Sequence, residues 1–262
     1  MLLIADNLTI TNRSLKQALN QMAPEPIRKL VRECQAVGAA GIDINPGPLG
    51  RDAGSRMAFL VETVQAETSL PLVIDTAEPR AMEAGLRACR NRAVINGFSL
   101  EPAKRDAMLA LAAECDAAVI CYLLRPDSQV PAGVEERLQV ACDVFAAARA
   151  AGIAPERLII DPVIVPITWQ DGASRNRELF SVIRQLPDVL GFPVKTIAGL
   201  SNLTAGDGPQ EQKLLLERAF LCMLAGAGLS MVLMNLLHQE TVRTARACRA
   251  LTQPGVFVWE EL

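Results

Sequence analysis

The chain reads as an α/β protein of the (β/α)8 TIM-barrel class, folded as a single domain over residues 1–262. Three observations predict it. Eight short apolar runs alternate with eight helical patterns, recurring roughly every 30 residues, and parallel strands need crossovers of helix length. The runs lack a clean two-residue alternation, as expected of strands buried on both faces. Neither Gly-x-Gly-x-x-Gly nor Gly-x-x-x-x-Gly-Lys occurs, so an open nucleotide-binding sheet is disfavoured and a closed barrel is the economical arrangement at this length.

The units follow in order. Leu2–Ile4 is a strand, and Ser14–Val37 is helical with an interruption at Pro24 and Pro26. Gly41–Ile44 leads through a Pro- and Gly-containing loop to a helix over Ala53–Glu67. Leu72–Ile74 ends in Asp75 and precedes a helix over Glu78–Cys89, where Pro79 suits a first turn because its missing N–H has no intrahelical partner. Ala93–Ile95 ends in Asn96 before a helix over Lys104–Glu114, and Ala117–Leu123 precedes the alanine-rich helix Val134–Ala151. Leu158–Ile160 reaches Asp161, then a long loop and the helix Asn176–Leu186. The seventh strand begins at Lys195 and runs into Gly199, Ser201 and Asn202; a glycine-rich loop and the helix Gln212–Ala227 come next. Met231–Met234 and Glu240–Leu251 complete the eighth unit.

Half of the residues are apolar, 21% are charged and the formal net charge is -3. That balance, without basic clusters, argues against a nucleic-acid surface or a membrane surface. No apolar run reaches the roughly 18 residues of a spanning helix, and the start is too short for a signal peptide, so the chain reads as cytoplasmic. Seven cysteines lie scattered without a Cys-x-x-Cys pair, so neither a disulfide framework nor a zinc or other metal site is indicated.

In a barrel of this kind the carboxyl ends of the strands build the active site. That rule gathers Asp43, Asn45, Asp75, Asn96, Asp161 and Asn202, with carboxylates and carboxamides and no positive charge. Such a lining suits a neutral heterocycle rich in ring N–H and amino donors. The competing account is that Asp and Asn at strand ends cap the helices that follow. His238, the lone histidine, is either a general base or a residue of the last helix's first turn. Trp169 and Gln170, in the loop after Asp161, either cover a ligand or anchor that loop. With one histidine and no Gly-x-Ser-x-Gly elbow there is no nucleophilic triad.

Several segments match a known family in its own order: Ala40-Gly41-Ile42-Asp43-Ile44-Asn45-Pro46-Gly47, Ile74-Asp75-Thr76, Ala93-Val94-Ile95-Asn96, Ile160-Asp161-Pro162 and Gly199-Leu200-Ser201-Asn202. With Ala81–Leu86, Arg218–Leu221 and Ala227–Leu229 they cover nearly the whole chain. The chain resembles the methyltetrahydrofolate:corrinoid protein methyltransferases, pterin-binding relatives of dihydropteroate synthase. The resemblance implies that Asp75, Asn96 and Asp161 hold the pyrimidine edge of the pterin. It also implies that Asn202 contacts the ring nitrogen that carries the methyl group, with Asn202 and Asp161 as the catalytic residues. That nitrogen leaves only as it gains a proton or a strong hydrogen bond.

The resemblance further implies methyltetrahydrofolate or tetrahydrofolate as substrate, a corrinoid (cobalamin) carried by a separate partner protein, and a homodimer. Gly199, Ser201 and Lys213 belong to the pterin and folate contacts on the same basis. Three positions depart from the family pattern: Thr9 and Ala205 stand where it has an asparagine and a glutamine, and Lys213 replaces an arginine. A guanidinium offers a planar fork that an ammonium lacks. The alternatives are a pterin-binding protein with lost or altered methyl transfer, and dihydropteroate synthase. The latter is less supported because Ser201-Asn202-Leu203 stands where that enzyme has a basic pair for its anionic leaving group.

Overall fold

The structure is a computed structural model that describes residues 1–9, 12–252, 254–255 and 258–259. Eight parallel strands close into a barrel in sequence order, with the first strand paired to both the second and the eighth. The strands are β1 (Leu2–Thr9), β2 (Gly41–Asn45), β3 (Leu72–Asp75), β4 (Ala93–Phe98), β5 (Ala118–Tyr122), β6 (Leu158–Asp161), β7 (Lys195–Gly199) and β8 (Met231–Met234). Among the described residues the helices are α1 (Arg13–Asn20), α2 (Pro24–Ala36), α3 (Ala53–Gln65), α4 (Pro79–Ala88), α5 (Pro102–Glu114), α6 (Val134–Ala150), α7 (Gly172–Leu190), α8 (Gln210–Ala227) and α9 (Gln239–Thr252). None of them is long and apolar enough to cross a membrane.

The expected (β/α)8 class is the observed one, with corrected boundaries. β1 runs to Thr9 rather than stopping at Ile4, and β4 to Phe98 rather than Ile95. Both runs continue through polar residues that the barrel interior accommodates, which hydrophobicity does not register. The helical stretch after β1 splits into α1 and α2, and Pro24 occupies the first turn of α2, where its ring is tolerated. Pro102 opens α5 in the same way, two residues earlier than expected. The side chain of Asn12 starts α1 by accepting from the backbone N–H of Ser14 and Leu15 at 3.1 and 3.3 Å.

The core has two layers. Outward-pointing strand residues such as Ile42, Ile74, Ile95, Val119, Ile160 and Val232 pack under the helices. Inward-pointing ones, including Ile4, Val73, Val94, Ile120, Ile159 and Leu233, form a separate apolar plug along the barrel axis. Each fully buried aliphatic side chain contributes roughly 1.5–3 kcal/mol. Successive residues of a strand face opposite sides, so the residue two beyond each plug residue also faces inward, now at the carboxyl mouth. Those positions are Asp6, Asp75, Asn96, Tyr122, Asp161 and Asn235. The apolar plug therefore ends in a polar rim, and the rim is where a ligand can meet hydrogen-bonding groups.

The candidate site at the barrel mouth

The polar rim is a connected set. From β2, Asn45 donates its Nδ2 hydrogen to Asp75 Oδ2 at 2.7 Å, which uses one lone pair of that carboxyl and leaves the rest facing the mouth. On β4, Asn96 Nδ2 makes a long 3.5 Å contact with Asp43 Oδ1, and its Oδ1 accepts the Tyr122 hydroxyl of β5 at 2.6 Å. Gly97 permits this arrangement: a Cβ there would lie 2.6 Å from the Ile120 carbonyl and 3.1 Å from the Tyr122 ring. Asp161 ends β6, only 6% exposed, and its Oδ1 accepts from the Val163 N–H at 2.8 Å.

Burial and mutual repulsion set the protonation of these acids. Burial lifts Asp161 from 3.8 to about 7, against the lowering effect of the Val163 N–H and Arg137. Burial lifts Asp6 to about 6. Asp43 stands well above the carboxylate range because it is buried and because Asp75 and Asp6 share its surroundings. Asp75 is raised by burial first and by Asp6 second. The three carboxyls repel one another, and Asp43, the most deeply buried, holds its proton the longest as pH rises.

Behind β6, α6 contributes Arg137, which is wholly buried. Its guanidinium donates to the carbonyls of Pro162 at 2.9 Å and of Pro131 and Arg175 at 3.4 Å. Burial pulls its pKa down to about 10. Asn176 of α7 clasps Val165 through both its N–H and its carbonyl, at 3.0 and 2.8 Å. The loop after Asp161 is thus held from outside the barrel.

Asn202 does not sit in an open loop, as expected, but in a 3-10 turn over Leu200–Thr204. Gly199 ends β7 at an inward position, and a Cβ there would stand 3.2 Å from Asn202 Nδ2. The carboxamide therefore folds back into the space a side chain at 199 would fill. Ser201 and Asn202 are both exposed. Lys213, on the first turn of α8, donates from Nζ to the Gly206 carbonyl and so bridges the turn after Asn202. Thr9 is half-buried at the end of β1 and pairs with Asn45; Ala205 is exposed.

The helix-cap reading of the strand-end acids and amides fails on geometry. The N-cap positions of α4, α5, α7 and α8 are Glu78, Glu101, Asp171 and Pro209, and none of these makes a side-chain cap bond. His238 precedes α9, and its carbonyl accepts the N–H groups of Thr241 and Val242; its ring lies 3.4 Å from Asn235 Nδ2. Trp169 is 48% exposed in the loop after β6.

Asp6, Asn7, Tyr122 and Asn235 are further polar residues at the mouth, beyond the six that the strand-end rule gathers. Asn7 donates to Asn235 Oδ1 at 2.6 Å and accepts from the Leu236 N–H at 2.9 Å, joining the ends of β1 and β8. Extending the inward rhythm Ile4–Asp6, Ile120–Tyr122 and Leu233–Asn235 by one step past each apolar run would have found three of the four.

A parallel barrel whose mouth gathers carboxyl and carboxamide groups above an apolar floor presents hydrogen-bonding groups to whatever enters it. The chain belongs to the family described as pterin binding enzyme, whose profile matches residues 7–235. It is 22% identical over 254 residues to a methylcorrinoid:tetrahydrofolate methyltransferase of Eubacterium limosum, covering 96% of this chain and 91% of that protein. It is 28% identical over 210 residues to a methionine synthase of Mycobacterium tuberculosis, 76% of this chain but 17% of that much longer protein. Among solved structures, a dihydropteroate synthetase with bound product shares the fold with a TM-score of 0.70 at 18% identity, covering 95% and 93% of the two chains. Dihydropteroate synthase from Xanthomonas albilineans with 7,8-dihydropteroate gives 0.65 at 23%, again over 95% and 93%.

Proposed function

We propose that the protein is a methyltransferase that moves a methyl group between methyltetrahydrofolate and the cobalt of a corrinoid held by a separate partner protein. The observation that carries this reading is the rim itself: acceptors at Asp75 and Asp161, an amide at Asn96, and a neutral carboxamide, Asn202, folded over Gly199. A reduced pterin presents ring N–H and amino donors along its pyrimidine edge, which ionised carboxylates accept. The relative from Eubacterium limosum supports the same reading across nearly the whole chain.

In this reading Asp75, Asn96 and Asp161 hold and orient the ring, with Asp43 and Asn45 as the groups that hold Asn96 and Asp75. Asn202 donates to the methylated ring nitrogen as negative charge develops there, and a neutral amide can do so without binding the ground state too strongly. On the family resemblance, Lys213 belongs to the folate-tail contacts and Ser201 to the pterin contacts. The corrinoid supplies the cobalt nucleophile when the partner docks over the mouth. A homodimer and a cytoplasmic setting belong to the proposal on the strength of the family resemblance.

Dihydropteroate synthesis would need positive charge for a pyrophosphate leaving group. The turn over Ser201-Asn202-Leu203 supplies none, and Lys213 is engaged by the Gly206 carbonyl. Pterin binding without transfer is the reading that Thr9 and Ala205 favour.

The test is anaerobic transfer from methyltetrahydrofolate to free cob(I)alamin, followed by loss of the cobalt(I) spectrum. Turnover is expected, and Asn202→Ala should slow it by about 10²-fold while changing folate affinity little. Tight folate binding with no transfer would replace the proposal by the binding-protein reading. Equal rates in the variant would remove Asn202 from the mechanism.

A further inference from the structure

We infer that Tyr122 is a positioning residue of the pterin site, whose hydroxyl fixes which way round the Asn96 carboxamide stands, so that Asn96 meets the ligand as a hydrogen-bond donor. The inference rests on the proposed pterin site and names how that site selects its ring.

A carboxamide has an acceptor oxygen and a donor nitrogen of nearly the same shape, so its neighbours decide its orientation. Tyr122 closes the inward row of β5, one step above Ile120, and pairs in register with Asp161 of β6. Its hydroxyl lies 2.6 Å from Asn96 Oδ1. Burial, then the nearby Asp75, Asp161 and Asp43, push phenol ionisation well above its usual range. The hydroxyl stays protonated, and at 2.6 Å it is the donor to Asn96 Oδ1. On the other side Asp43 takes the Asn96 nitrogen, through the 3.5 Å contact. Both neighbours turn Oδ1 towards β5 and Nδ2 towards the acids.

The Tyr122 ring cannot drift from this place. It is packed into the apolar plug on one side. On the other, its Cζ and Cε2 atoms lie 3.1 and 3.2 Å from where a Cβ on Gly97 would be. The glycine thus admits the ring, and the ring orients the residue before the glycine.

The consequence for recognition is a fixed pattern along the rim. Asp75 and Asp161 offer lone pairs, and Asn96 between them in the strand order offers an N–H. That acceptor–donor–acceptor row fits an edge on which a ring nitrogen with only a lone pair stands between N–H groups, as in a reduced pterin. A flipped Asn96 would set carbonyl lone pairs against that ring nitrogen, and rejection of such a mismatch is strong where the groups are buried.

Tyr122→Phe keeps the ring and removes the O–H. Tetrahydrofolate Kd should weaken by about tenfold, with a smaller change in transfer kcat. In an Asn96→Ala background the same change should have no further effect on Kd, because Tyr122 acts through Asn96. Additive effects, or an unchanged Kd in the single variant, would overturn the inference. A ligand-free measurement separates it from the proposed function. In amide NMR, with Asn96→Ala giving the assignment, the Asn96 Nδ2 proton pair should be sharp and distinct in the native protein and exchange-broadened in Tyr122→Phe. An identical pair in both refutes the positioning role even if the protein binds no folate. Failure of native tetrahydrofolate binding, with the pair behaving as expected, refutes the pterin reading alone.

Discussion

Replacing Asp161 by Asn should stabilise the protein while disabling its site. The carboxyl is 6% exposed and titrates at about 7 instead of 3.8, with burial as the main cause. Below about pH 4 the group is protonated in both folded and unfolded chains and has no effect on stability. Between about pH 4 and 7 the unfolded chain releases the proton and the folded one keeps it, so stability falls as pH rises. Above pH 7 the full cost is present, about 4 kcal/mol at about 1.4 kcal/mol for each tenfold. Asparagine keeps an oxygen to accept the Val163 N–H and carries no charge to bury. The variant should therefore match the native protein near pH 4 and gain up to about 4 kcal/mol near pH 8, raising the Tm by about 10 °C. Urea titrations at both pH values measure this. A variant that is equally or less stable at pH 8 would refute the claim that Asp161 is a strained buried acid. At the same pH its tetrahydrofolate affinity should drop about 10- to 100-fold through loss of a charged acceptor.

Folate affinity should rise with pH between 5 and 8, since Asp161 at about 7 must be ionised to accept the ring N–H groups; a flat calorimetric profile would oppose this. For one required ionisation the slope approaches tenfold per pH unit on the acid side. Gly97→Ala should cost several kcal/mol, because its Cβ would stand 2.6 Å from the Ile120 carbonyl; denaturant midpoints read the loss, and a near-native midpoint would show that the strand yields there.

The fold was legible because each strand of a parallel barrel is an apolar run and each crossover a helical period. Asp75 and Asp161 were legible because they terminate such runs. Asp6 and Tyr122 were harder to see. β1 carries its polar residues inside a strand that continues to Thr9, where hydrophobicity alone signals an end at Ile4. Tyr122 reads as one more apolar strand residue, and only the closed barrel shows that its hydroxyl meets Asn96, 26 positions away. Asn202 was placed correctly beyond β7, but its return over Gly199 depends on a 3-10 turn that no periodicity announces.

The clasp between Asn7 and Asn235 links side chains 228 positions apart. Contacts of such separation come late, since a long loop must close before they form. On a ribosome the first strand emerges well before its partner across the seam, and it waits with one edge unpaired until β8 arrives. An unpaired edge is a template for other chains. The rim residues from β1 and β8 thus meet only at the end of assembly, and a nascent chain stopped before Met231 would carry most of the proposed pterin contacts on a barrel still open along one side.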